Sequence, residues 1–85
     1  MPSIHQVVLY TRSGCHLCDD VKATLARLEK GGGLPFAWSE VDIDSDPELQ
    51  RKFTAEVPVV FIDGKKAFKY RMGERDFLRR LQSRS

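Results

Sequence analysis

The chain has 85 residues, 41% hydrophobic and 31% charged, with a formal net charge of +2. That is one domain, spanning 1–85: long enough to bury a core, too short to hold a second. No apolar run approaches the ~20 residues of a membrane-spanning helix, and two cysteines three positions apart cannot staple a small secreted scaffold.

Residues 4–10 (IHQVVLY) are short, apolar and β-branched, which predicts a central strand. Residues 15–30 follow helical spacing, with Val21, Leu25 and Leu28 on one stripe and Leu17 a turn earlier. Asp19 and Asp20 stand in its first turn and Lys30 in its last, as the helix dipole prefers. The glycines at 31–33 read as a helix stop followed by a loop. FAWSEVD (36–42) is a second strand, where Phe36 and Trp38 at period-two spacing suit core packing. Residues 45–53 form a short helix with two possible starts. Either Ser45 caps it with Glu48 closing a capping box, or Asp46 caps it with Pro47 in the first helical position. Leu49 and Phe53, four apart, face the core.

VPVVFI (57–62) is a third strand, Asp63-Gly64 is a hairpin turn, and residues 65–70 return as a lysine-bearing edge strand. Residues 74–82 close the chain as a helix, with Phe77, Leu78 and Leu81 inward. The order β-α-β-α-β-β-α predicts an α/β fold. It has a four-stranded mixed sheet flanked by three helices, the first helix crossing between parallel strands.

Charge is uneven. Residues 65–85 carry eight basic side chains against Glu74 and Asp76, a net of +6, which leaves −4 on the rest. No basic segment followed by a long apolar run marks an export signal at the start, so a cytoplasmic setting is expected.

CHLC at 15–18 carries the chemistry. It follows a strand and a TRSG turn and opens a helix. Unpaired N–H groups and the positive dipole end at that position stabilise a thiolate. Two cysteines on one first turn also approach closely enough to form a disulfide. Arg12 and His16 favour an anion at Cys15, whereas Asp19 and Asp20 disfavour one at Cys18. The asymmetry suits exchange in which Cys15 attacks a disulfide and Cys18 resolves the mixed disulfide. His16 reads as an exposed residue of the helix start rather than a general base. Structural zinc is not expected: no second CxxC exists, and only His5 and His16 remain to complete four ligands. Pro58 contradicts a central strand, because it removes a ladder hydrogen bond. An edge position, a bulge, a strand-start proline or a cis Val57-Pro58 bond would each resolve this.

LYTRSGCHLC, VDIDSDPEL and VPVVFIDG together resemble the glutaredoxin-like branch of the thioredoxin superfamily over most of the chain. They look similar to small bacterial-type glutaredoxin-like proteins with a TRxGCHLC start. The resemblance implies a thioredoxin/glutaredoxin-like fold, Cys15 as nucleophile and Cys18 as resolving thiol. It implies that Pro58 is a cis-proline packed against the cysteine pair. The backbone of Val57 would pair, strand-fashion, with the cysteinyl part of glutathione or a substrate peptide. Arg12 would bind a glutathione carboxylate. Glutaredoxins commonly end the fourth strand with Gly-Gly, then a small or Cys residue and Asp; here the region reads FKYRMGERD. Gly73 and Glu74 are its partial substitutes, with Arg71 as another carboxylate contact. The His-Leu between the cysteines is neither the Pro-Tyr of dithiol glutaredoxins nor the Gly-Pro of thioredoxins. A Trp before the motif and a carboxylate on the preceding strand, both thioredoxin features, are absent.

The expected function is thiol–disulfide exchange on a disulfide-containing protein or a glutathionylated substrate. The electron donor would be glutathione or a reductase. No cofactor is expected to be bound, glutathione serving as co-substrate, and a monomer with no membrane partner is expected. The alternatives are an iron–sulfur or metal carrier and a docking module for an acidic partner through the basic C-terminal end. A nucleic-acid role is not expected, because Phe68, Tyr70 and Phe77 give thin aromatic interleaving and Phe77 reads as core.

Overall fold

The structure is a computed structural model that describes residues 4–31 and 35–83. Along the chain run β1 (His5–Thr11), α1 (His16–Lys30), β2 (Phe36–Asp42), α2 (Pro47–Phe53), β3 (Val59–Ile62), β4 (Lys65–Lys69) and α3 (Glu74–Ser83). A 3₁₀ turn over Ile43–Ser45 lies between β2 and α2. The sheet order is β2-β1-β3-β4, so β1 is central and β4 an edge, as the apolar and lysine-rich patterns predict. β1 and β2 are parallel, from His5↔Phe36 to Thr11↔Asp42, while β3 runs antiparallel to both β1 and β4. This is the predicted β-α-β-α-β-β-α mixed sheet with three helices.

β1 places Val7 and Leu9 in a core shared with Val21 and Leu25 of α1, Phe36 of β2, Val60 and Ile62 of β3, and Phe77 and Leu81 of α3. Tyr10 belongs to the opposite face, where Ile43, Phe53 and Val59 are buried and Tyr10 stacks on Phe53 at 4.8 Å. The sheet is thus covered by α1 and α3 on one side and by α2 on the other. Among the described residues, no helix is long and apolar enough to cross a membrane.

Local chemistry fixes the ends. Asp46 caps α2, accepting the Glu48 N–H at 2.9 Å, and Pro47 takes the first helical position. Ser45 is not the cap, because its hydroxyl donates to Asp42 O in the 3₁₀ turn. Asp63 and Gly64 both have positive φ, 52° and 85°, as a two-residue type I′ hairpin requires. The Asp63 carboxylate accepts the Gln6 N–H at 2.9 Å and meets His5 Nδ1 at 2.7 Å, tying the hairpin to the start of β1. Gly31 ends α1, its N–H donating to Arg27 O; Gly32 and Gly33 lie outside the described residues.

Three expectations are corrected. β3 begins at Val59 rather than at residue 57, because Pro58 offers no N–H and the Val57 N–H donates to Phe53 O at the end of α2. β4 stops at Lys69, because Tyr70 turns to a φ of 69°. Leu17 is not core: the buried stripe of α1 runs through Cys18, Val21 and Leu25, which turns Leu17 outward at 40% exposure.

Candidate redox site

The site forms where β1 ends. The Cys15 N–H donates to Arg12 O at 3.3 Å, closing a four-residue turn whose third member, Gly14, has a φ of 80°. A type II turn demands that conformation there, and glycine adopts it freely. The turn delivers Cys15 as N-cap of α1, with its Sγ accepting the Cys18 N–H at 3.1 Å. Cys15 and Cys18 are joined as a disulfide, their Cα atoms 5.2 Å apart. Cys15 is half-buried, whereas Cys18 is 1% exposed. His16 is the first residue of α1 and exposed.

β3 runs antiparallel to β1, with Tyr10 opposite Val59, so Val57 and Pro58 come to the end of β1 from which the cysteine turn departs. The Val57-Pro58 bond is cis and Pro58 is fully buried. The Pro58 carbonyl accepts the Tyr70 N–H at 2.8 Å, and Glu56 O accepts the same N–H at 3.3 Å. The segment that follows β4 is thereby fastened to the proline loop.

Two recesses flank the first turn of α1. One, about 400 Å³, is polar and opens between α1 and β2; Thr11, Arg12, Cys18, Lys22, Glu40 and Asp42 line it. Here Lys22 Nζ meets Glu40 at 2.8 Å and the buried Thr11 hydroxyl donates to Glu40 at 3.2 Å. The hydrogen bond from Lys22 holds the Glu40 carboxyl below its ordinary value, and Glu40 holds the Lys22 ammonium above its own. The second recess, about 320 Å³, lies between α1 and the segment after β4, with Leu17, Val21, Tyr70 and Met72 among its lining.

The predicted contacts divide. Cys15, Cys18, Val57 and Pro58 come to one end of the sheet, with Arg12 in the cysteine turn. The Arg12 guanidinium, however, forks onto Asp44, with Nε at 3.3 Å and Nη2 at 3.2 Å. Asp44 also accepts from Gln50 at 3.0 Å, and these bonds, Arg12's first, hold its carboxyl below the ordinary range. Gly73 is at the start of α3, its carbonyl accepting the Phe77 N–H. Glu74 is drawn away: its carboxylate pairs with Arg27 at 2.6 Å. Arg27 is twelve positions after Cys15, roughly 18 Å along the helix. Sequence reasoning missed Glu40, which only the parallel pairing of β1 with β2 brings to Cys18, and Lys22, which stands one helical turn after Cys18 on α1. Of the second recess's lining, sequence reasoning singled out Leu17, as core, and Arg71, as a carboxylate contact.

A thioredoxin-type sheet with a CxxC pair at the first helix and a cis-proline at the same end of the sheet places the chain in the thioredoxin superfamily. The chain belongs to the glutaredoxin-like domain family (DUF836), whose model matches residues 6–82. The glutaredoxin-like protein YDR286C homolog of Dictyostelium discoideum is 39% identical over 69 residues, covering 76% of this chain and 64% of that protein. The uncharacterized protein Rv0508 of Mycobacterium tuberculosis is 36% identical over 63 residues, covering 71% of this chain and 65% of that protein. The chain therefore spans a little under two-thirds of the length of these curated relatives. The solution structure of protein Ne2328 from Nitrosomonas europaea superposes with a TM-score of 0.73 at 29% identity, covering 91% of each chain. A glutaredoxin-like domain carrying a paired CxxC is consistent with a redox function.

Proposed function

We propose that the protein is a dithiol–disulfide oxidoreductase in which Cys15 attacks and Cys18 resolves. The carrying observation is the inequality of the two sulfurs. Cys15 is the more accessible and is the helix N-cap, where its Sγ accepts the Cys18 N–H at 3.1 Å, while Cys18 is buried beneath it. A thiolate at the N-cap gains from that N–H and from the dipole end.

In the reduced protein the Cys15 thiolate attacks a disulfide R–S–S–R′. A Cys15–S–S–R bond forms and R′S⁻ leaves. Cys18 then gives up its proton to solvent and attacks the Cys15 sulfur, so that RS⁻ leaves and the Cys15–Cys18 disulfide remains. Two glutathione thiols, or one dithiol reductase, return the pair to the reduced state and carry off the oxidised equivalent. A substrate strand laid against Val57 finds the carbonyl first, because the N–H is engaged by Phe53. A cytoplasmic reductant role fits this chemistry.

The test is turnover of a protein disulfide and of a glutathionylated protein with glutathione as sole reductant, beside Cys15→Ser. Turnover that vanishes in C15S supports the assignment. Turnover that survives in C15S removes it. Exchange that needs a dithiol reductase instead of glutathione keeps the roles of both cysteines and identifies the donor.

A further inference from the structure

The described residues expose three large hydrophobic side chains: Ile4, Leu17 at 40% and Tyr70 at 45%. Leu17 and Tyr70 line the same groove of about 320 Å³, with Val21 and Met72 beneath them. Leu17 lies between the two cysteines in sequence, so one wall of the groove belongs to the turn of α1 that carries the redox pair. Tyr70 keeps a φ of 69°, a conformation that side-chain-bearing residues seldom adopt. Its N–H is held there by Pro58 O and Glu56 O. Backbone strain that displays an aromatic ring beside a reactive centre points to use of that ring.

The groove also carries Asp20 and Arg71. Among the described residues neither side chain makes an ion pair, whereas both cations of the polar cleft, Arg12 and Lys22, are paired. The groove therefore has an apolar floor and one exposed charge of each sign without an ion pair. Glutathione brings charges of both signs but no apolar side chain, so it leaves Leu17 and Tyr70 uncovered. An extended protein segment brings both.

We propose that this groove seats the segment flanking the reactive cysteine of a partner-protein disulfide, an apolar side chain entering between Leu17 and Tyr70. Charged neighbours on that segment are met by Asp20 and Arg71. Protein disulfides with an apolar neighbour are then preferred over glutathione mixed disulfides. The proposal rests on the exchange chemistry assigned to Cys15.

The test uses mixed-disulfide peptides identical except for Leu or Ser beside the cysteine, a glutathionylated peptide and a small aromatic disulfide. Rates of exchange with the reduced protein are read for each. The Leu peptide is expected to react about tenfold faster than the Ser peptide, the worth of partly burying one apolar side chain. Leu17→Ser, at an exposed position, and Tyr70→Asn, which tolerates the left-handed backbone, should each bring that ratio toward one. Equal rates in the parent protein, or a ratio unchanged in both variants, would overturn the groove assignment while leaving the exchange reading intact. A glutathione moiety handled as fast as the Leu peptide, and slowed as much by both variants, would overturn it in favour of glutathione as occupant. No Cys15-dependent exchange with any of the four disulfides would remove the exchange reading, and this proposal with it.

Discussion

The two recesses beside the cysteines differ in how their charges are used. In the cleft between α1 and β2, Lys22 is paired with Glu40, and Arg12 is forked onto Asp44. In the groove on the other flank, Asp20 and Arg71 have no ion pair among the described residues, and Leu17 and Tyr70 stand exposed. Both cations of the cleft are paired, whereas the one cation of the groove is not. An anion entering the cleft has to displace ion pairs before gaining any, whereas a ligand entering the groove removes apolar surface from water at once. On the proposed reading, the groove rather than the cleft is the side that meets the substrate of Cys15.

The largest effect that would break this division comes from Cys18. Cys18→Ser keeps the accessible Cys15 and removes the resolving sulfur. Turnover of protein disulfides should fall to the uncatalysed rate after one equivalent has reacted, with a Cys15 mixed disulfide accumulating by intact-mass analysis. Continued turnover in C18S would mean that an external thiol does the resolving. The cleft side would then have no part in the cycle.

The next effect sharpens the groove side. If the Tyr70 ring serves a partner rather than the fold, losing it should not cost stability. Tyr70→Asn relieves an unfavourable backbone angle worth about 1 kcal/mol. The thermal midpoint should therefore hold or rise, by up to about 5 °C for a domain this size. A clear fall would show that the ring, which also lies under Lys69 Nζ at 5.5 Å, is structural.

The third concerns the cleft and pH. Glu40 and Asp44 are held below ordinary carboxylate values by Lys22 and Arg12. Their contribution is complete above the unfolded carboxylate range and is lost as pH falls through the lower folded values. Lys22, raised by Glu40, contributes below its ordinary value and loses that contribution as pH rises through the higher folded one. Glu40→Gln should flatten the thermal-midpoint profile at both ends, whereas L17S should leave its shape unchanged. The pair is more than a third exposed, so the change should be no more than about 5 °C and should shrink in salt. An unaltered acid limb in E40Q would show that Glu40 is not held by the cleft.

The cysteine end was legible because its signals are local. A strand, a glycine-bearing turn and a CxxC at a helix start occupy consecutive residues, and the Asp63-Gly64 turn needs no more than its own two. What was not legible depends on distance. Glu40 is 22 residues from Cys18, and only the parallel pairing of β1 with β2 puts both on one cleft. Leu17 misled because residues 17 and 18 both continue the apolar spacing of α1, and the packing chose Cys18. Tyr70 looked like the end of a strand. Its φ is set by the Pro58 and Glu56 carbonyls, twelve and fourteen residues earlier. The ambiguous start of α2 was a competition between Ser45 and Asp46. It was decided when the Ser45 hydroxyl turned back to Asp42.

The smallest effect bears on Arg12, which the family resemblance assigns to a glutathione carboxylate and the structure commits to Asp44. Asp44 holds the guanidinium by two contacts and is itself steadied by Gln50. A carboxylate ligand has to exchange one carboxylate partner for another, which gains little at an exposed site. Asp44→Asn removes that competition while keeping the side chain's size. Exchange with a glutathionylated peptide should then rise about two- to fivefold, through KM rather than kcat, with the gain fading in salt. The Leu peptide that fills the opposite groove should gain nothing. A rise for the Leu peptide of the same size would mean that cleft and groove are not separate in binding. No rise for either would mean that Arg12 serves the turn and the 3₁₀ segment, and that substrates meet the protein only from the side of Leu17 and Tyr70.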